Sequence, residues 1–262
     1  MKPKQRLFLI LWLAGLAGVL SFLFVDISAL IAMIPQPEGT LPTELPPLLI
    51  KILAVIQPGV LTTLAVLVGV WLAPKVGLHA PAAEAIAERQ PFLPALRPQV
   101  IPGIVTGLLS GAAIVACWLL VKPYLAADFI GRSDALNQML PPITRFLYGG
   151  FTEEILLRWG VMTFFVWVLW RILGRHENAP RAAWFVLAIF ASALLFGAGH
   201  LPIAAALSGG LTVPLTIYVI VANSIFGIAA GFLYWKSGLE SAIIAHMFAH
   251  VVLLAAISLG SP

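Results

Sequence analysis

Three short segments of the chain bring carboxylates, an arginine and histidines together at spacings that suit acid–base chemistry. The first is Gly150-Phe151-Thr152-Glu153-Glu154-Ile155-Leu156-Leu157-Arg158. Residues four apart share a helix face, so Glu154 and Arg158 can pair, with a guanidinium fork that matches a carboxylate. Adjacent side chains point about 100° apart, which leaves Glu153 without a partner in its own helix and available as a general base. The second segment is Phe196-Gly197-Ala198-Gly199-His200, followed closely by Pro202. The chain before a proline disfavours helix, so His200 is expected where a helix stops, with Gly197 and Gly199 allowing close approach. The third runs from Ser237-Gly238 to His246-Met247-Phe248-Ala249-His250, and its two histidines, four apart, project from one face.

These groups lie in surroundings where ionisable residues are costly. Hydrophobic residues make up 61% of the 262, charged residues 10%, and mean hydropathy is +1.01. A soluble chain carries roughly a quarter charged residues, so lipid must be the solvent for most of these side chains. An ionisable group inside a span is a functional-site hypothesis by default. A lone intramembrane histidine can equally be a hydrogen-bonding residue between helices, Glu154–Arg158 can be purely structural, and an i,i+4 histidine pair also suits a metal. It is the convergence of all three segments that favours a site. Elsewhere the spans are nearly free of charge, and His79 and His176 fall in connections.

The apolar runs predict an all-α fold, a polytopic transmembrane helical bundle of about seven spans (six to eight) forming one domain over 1–262. The expected spans are 7–33, 47–73, 103–122, 145–171, 181–200, 213–235 and 239–259. The runs are too long and too little alternating for membrane strands. The stretch from Leu7 to about Val25 is too long for a cleaved signal and reads as a retained span. Pro35 to Gly39 and Leu45-Pro46-Pro47 bracket the first connection. Pro74, Pro81, Pro91, Pro94, Pro98 and Pro102 punctuate the second, and 124–140 reads as an amphipathic interfacial piece. Gly107-x-x-x-Gly111 and Gly227-x-x-x-Gly231 predict close helix approach.

Lys2, Lys4 and Arg6 favour a cytoplasmic N-terminus, and the acidic first connection (Glu38, Glu44) and basic fourth (Arg171, Arg175, Arg181) agree. The third connection, with Lys122, Arg132 and Arg145, fits poorly. Depth counting on this topology places Glu153 in the outer half and His246 nearer the inner side. The net charge of +4 and pI near 9.5 come from short connections, so they read as contacts to the lipid bilayer and not to nucleic acid. Cys117 is the single cysteine, which rules out an intrachain disulfide and a cysteine-based metal cluster.

Taken in order, the segments resemble the intramembrane protease family that includes the CAAX prenyl endopeptidases, often called CPBP or Abi. Its Glu-Glu-x-x-x-Arg motif matches Glu153, Glu154 and Arg158, and its Phe-x-x-x-His motif matches Phe196 and His200. Its third motif, His with Asn four residues on, matches His246 and places His250 at the Asn position, a departure from the pattern. The likeness covers 145–252, the family-like catalytic core, and suggests a bacterial-type member in the bacterial inner (plasma) membrane.

The resemblance implies an endopeptidase acting on a membrane-associated peptide or protein substrate. Glu153 with His200 would deprotonate a water, and His246 with His250 would donate to the oxyanion. Glu154, Arg158 and Phe196 would support them. A metal-free, glutamate-type mechanism is favoured, since the His-Glu-x-x-His zinc signature is absent. If zinc were present, Glu153, His200, His246 and His250 would be its ligands. The alternatives are a non-cleaving binding or immunity protein on the same scaffold, and a proton-coupled transporter. Transport is disfavoured by the lack of an internal repeat and by the sparse polar groups of the late spans, where Asn223 is the conspicuous one.

Overall fold

A computed structural model of the chain describes residues 1–35, 46–174 and 176–260. Glu38, Glu44, Arg175 and most of the first connection lie outside the described residues. The fold is an all-α polytopic bundle, without a strand among the described residues, and seven helices are long and apolar enough to cross a membrane. These spans are Pro3–Phe24, Leu48–Val76, Leu93–Tyr124, Pro142–Leu173, Ala182–Ser208, Val213–Ser237 and Leu239–Ser258.

Four spans depart from the sequence reading in extent or winding. The first span stops early, because Asp26 accepts the Ala29 amide and caps a separate helix, Ile27–Met33. The third begins at Leu93, ten residues before the expected start, and carries Pro98 and Pro102 inside its helix. Prolines that read as loop punctuation in water are tolerated in membrane helices, where neighbours re-satisfy the freed backbone groups. The fourth span winds through two wide, π-type stretches, Arg145–Glu153 and Ile155–Met162. Such wide turns are frequent at functional sites and shift side chains off the ordinary helical register. The fifth span stops at His200 as expected but resumes as Leu201–Ser208, with Pro202 in the first turn where its missing N–H leaves no bond unmade.

Small residues set how closely the spans approach, as both glycine pairs predicted. The third span lies against the seventh along Gly103, Gly107 and Gly111. A Cβ at Gly107 would stand 2.7 Å from the Cβ of Phe248, and one at Gly111 2.9 Å from the Cβ of Val252. On the other side, Gly227 and Gly231 seat the sixth span on Ala193 and Ile189 of the fifth. The histidine-bearing seventh span is thus fixed in depth by the third. Lipid offers no hydrophobic drive for helices to associate, so this close packing is what holds the register.

Polar threads cross the bundle as well. Trp12 Nε1 donates to Thr63 Oγ1 at 2.9 Å, and Thr152 Oγ1 to the Gly15 carbonyl at 2.7 Å, tying the first span to the second and fourth. The expected interfacial piece is a helix, Ala127–Met139, whose Arg132 donates to the Leu207 carbonyl at 2.8 Å. It packs over the short helix that follows His200.

Gly107→Leu should unseat the seventh span and lower stability by about 1–3 kcal/mol through overpacking. Gly131→Ala, at a helical glycine with nothing within 4 Å of its added Cβ, should instead raise it by about 0.5–1 kcal/mol. Thermal unfolding of the detergent-purified variants checks both, and equal shifts at the two positions would contradict the packing account.

Candidate active site

Glu153 and Glu154 leave the fourth span into different environments. Glu154 is fully enclosed, and its Oε2 makes the expected ion pair with Arg158, 3.2 Å from Nε. Its Oε1 lies 2.8 Å from Nδ1 of His246. Arg158, equally buried, also donates through Nη2 to the Gly227 carbonyl at 3.1 Å. Its guanidinium stands 5.2 Å from the ring of Phe196 and 5.5 Å from that of Phe226. Gly227 serves the packing beside this bond, since a Cβ there would crowd Ala193 at 2.9 Å while standing at an ordinary 3.6 Å from Arg158 Nη2. Burying a charge costs several kcal/mol unless it is paired, and here one carboxylate serves both a cation and a histidine. The sequence placed Glu154 beside Arg158 but gave no sign of the bond to His246, which joins the fourth and seventh spans.

Glu153 faces a cavity, with 18% of its side chain exposed. Its Oε2 is 3.6 Å from His246 Nε2, beyond hydrogen-bond length but within ion-pair reach. The depth mismatch expected between these residues is therefore removed: the fourth span is long, at 32 residues, and the glycine contacts slide the seventh span to meet it. His250 stacks on His246, ring centroids 4.9 Å apart at 19°, and its Nδ1 is buried without a partner. Gly149, about one turn before Glu153, makes room for both rings, since a Cβ there would approach His250 Nε2 to 2.5 Å and His246 Nε2 to 3.1 Å.

His200 completes the group from the break in the fifth span. Its Nδ1 is 2.9 Å from the Phe196 carbonyl, and its ring meets the Phe196 ring edge-on at 4.8 Å. Phe196 therefore touches Arg158, His200 and His246 and acts as the apolar wedge between them.

Glu153, His200, His246 and His250 all line one cavity of about 560 Å³. A second, mostly apolar cavity of about 550 Å³ between the second, fourth and fifth spans shares Tyr148, Glu153, Phe196 and His200 as its wall. Sequence reasoning missed Tyr148, Arg145 and Phe226 at this site and noticed Asn223 only as an isolated polar residue; all four line the first cavity. Among the described residues, no three His, Cys, Asp or Glu side chains are gathered closely enough to hold a metal ion.

Both histidine orientations carry chemical information. A carbonyl only accepts, so His200 Nδ1 must carry hydrogen and Nε2 presents its lone pair when the ring is neutral. A carboxylate likewise only accepts, so Glu154 assigns hydrogen to His246 Nδ1 and turns Nε2 toward Glu153. The site thus sets two ring nitrogens and one carboxylate around shared space.

Residues 135–252 match the family described as type II CAAX prenyl endopeptidase, Rce1-like, a stretch that begins in the interfacial helix and ends just beyond His250. No curated protein and no solved structure matches the chain. The three motifs, in order within the matched stretch and brought to one cavity, agree with that match: the chain is an integral membrane protein whose residues 135–252 are similar to that endopeptidase family.

Proposed function

We propose that the chain hydrolyses peptide bonds of membrane-associated substrates within the bilayer, with Glu153 and His200 activating the attacking water. The observation that carries this reading is that Glu153, His200, His246 and His250, drawn from three spans, line the same cavity. An ionised Glu153 and the free Nε2 of a neutral His200 are two acceptors, matching the two hydrogens of one water. The water's lone pair is then left for the scissile carbonyl. As the new C–O bond forms, Glu153 takes the proton and afterwards delivers it to the leaving amine.

The carbonyl oxygen becomes an oxyanion and needs donors. His246, protonated at Nε2, is one, and Glu154 beyond it stabilises the imidazolium so formed. His250 offers the second from its unpartnered ring nitrogen. A histidine at this position donates as an amide would, so the departure from the family pattern keeps the oxyanion role. Arg158 keeps Glu154 an acceptor, and through it keeps His246 in one tautomer.

The reading needs no metal ion. The bonds at His200 Nδ1 and His246 Nδ1 leave each ring's Nε2 unspent, and Glu154 is committed to Arg158 and His246. What remains is a set of acceptors and donors suited to water and an amide. We place the N-terminus on the cytoplasmic side, supported by Lys2, Lys4 and Arg6 beside the first span.

The adjacent glutamates should separate experimentally. Glu153→Gln and His200→Ala should each cut cleavage of a membrane-anchored reporter peptide by about 10²–10⁴-fold while leaving thermal stability nearly unchanged. Glu154→Gln should lower activity and also cost about 3–5 kcal/mol of stability, because Arg158 is left buried and unpaired. Equal behaviour of the Glu153 and Glu154 variants would contradict the assigned roles. Prolonged chelation followed by metal analysis should leave the cleavage rate unchanged; activity lost to chelator and restored by zinc would overturn the metal-free mechanism.

A further inference from the structure

The two ends of the bundle treat the cavity that holds Glu153 and His200 differently. Toward the end where the N-terminus lies, Arg158, Trp159, Met162, Tyr234 and Leu239 are buried, and Thr163 Oγ1 lies 2.8 Å from the Tyr234 hydroxyl. These large side chains fill the interior on that side. In the other direction the cavity wall passes to Phe22 at the end of the first span, and to Leu30 of the short helix Ile27–Met33. It continues to Ser133 and Leu136 of the interfacial helix and to Leu140, all three only half-buried. Spans that alternate in direction place all these ends and connections on the side away from the N-terminus.

Charge separates the same two ends, and basic residues collect on the cytoplasmic side of a membrane protein. At the N-terminal end stand Lys2, Lys4 and Arg6, then Lys75, Arg171, Arg181 and Lys236. Lys75 Nζ lies 3.6 Å from the Trp71 ring centroid, and Lys236 Nζ 3.5 Å from that of Trp235. Tryptophan beside a cation at a helix end suits the boundary between lipid and water. At the cavity end the lysines and arginines of the described residues are Lys51, Lys122, Arg132 and Arg145. Three of these donate to backbone carbonyls of the bundle: Lys51 to Leu23 at 3.4 Å, Arg132 to Leu207 at 2.8 Å and Arg145 to Asn137 at 2.6 Å. Arg132 and Arg145 thus tie helix ends together, which accounts for the basic third connection that fitted the charge pattern poorly.

We propose that the active-site cavity opens on the non-cytoplasmic face of the membrane, and that its substrates are peptide segments lying in that half of the bilayer or at its surface. This deepens the proteolytic reading above and rests on it and on the cytoplasmic N-terminus. The reacting groups follow the same polarity. Glu153 lies in the first half of Pro142–Leu173, and His200 in the second half of Ala182–Ser208. Both are the halves on the cavity side. A peptide in the cytoplasm would have to pass the filled interior around Trp159 and Tyr234 to reach them. A segment already inserted or exported meets the carboxylate and the imidazole directly. The step that must supply the substrate is therefore membrane insertion or translocation.

The test uses the full chain in bacterial spheroplasts, with Cys117, its single cysteine, replaced by serine. A new cysteine is placed at the cavity mouth, Ser133→Cys, or in the exposed second connection, Gln90→Cys. A membrane-impermeant maleimide should label Ser133→Cys in intact spheroplasts, and Gln90→Cys only after lysis. The reverse pattern, or a Ser133→Cys that reacts only after lysis, overturns the proposal. Cleavage is read with two single-span reporters of fixed orientation, whose cleavable segment lies in the outer or in the cytoplasmic half. The outer-half reporter should be cut about tenfold faster or more, since only there does the scissile bond reach Glu153 and His200. Maleimide added outside should slow that cleavage in Ser133→Cys and spare it in Gln90→Cys. Faster cutting of the cytoplasmic-half reporter overturns the proposal. Outside labelling of Ser133→Cys with neither reporter cut overturns the proteolytic reading and leaves the outward opening standing.

Discussion

A buried carboxylate shared between an arginine and a histidine is the constraint around which the rest of the bundle is arranged. Glu154 has no access to solvent, so its charge must be met within the protein, and Arg158 and His246 meet it from the same helix and from another. This fixes the fourth span against the seventh at one height and one rotation. It also assigns the hydrogen on His246, which turns Nε2 toward Glu153. An ion pair of this kind adds little net stability when set against apolar packing. What it adds is a single arrangement, because every displaced alternative leaves a charge in lipid or protein without a partner.

Packing by small residues makes that arrangement reachable. Gly103, Gly107 and Gly111 bring the seventh span close to the third, Gly227 lets the sixth approach Ala193 of the fifth, and Gly149 leaves space for two imidazole rings. Phe196 and Phe226 then enclose the guanidinium and a histidine with apolar surface. The neighbouring Glu153 differs in its partners and in its exposure to the cavity, and the proposed roles of structural anion and general base rest on that difference. The helix turns one carboxylate inward and the other toward space.

The motif residues and the helix-approach glycines were legible in the sequence because their signals are local: spacing on a helix, or polarity out of place in an apolar run. The pairing of Glu154 with Arg158 was legible for the same reason. The link from Glu154 to His246 was not, since nothing within either span encodes which other span it will meet. The wide turns of 145–162 were hidden because composition does not distinguish them from an ordinary helix, and they spoil register counting across the site. Pro98 and Pro102 misled because a proline reads as a breaker in water and as a tolerated kink in lipid. Arg145 was seen only as a charge on the wrong side of a topology rule, because its place on the cavity wall depends on how the spans assemble.

The central claim is that a water held by Glu153 and His200 attacks a peptide carbonyl inside the membrane. Cleavage of a membrane-anchored peptide by the purified, reconstituted protein in ¹⁸O-labelled water tests it most directly, with the products read by mass spectrometry. The account predicts a single labelled oxygen in the newly formed carboxyl group at each cleavage, and no such product from Glu153→Gln. Unchanged peptide with the intact protein, or labelled product that persists when Glu153 is replaced, would contradict it.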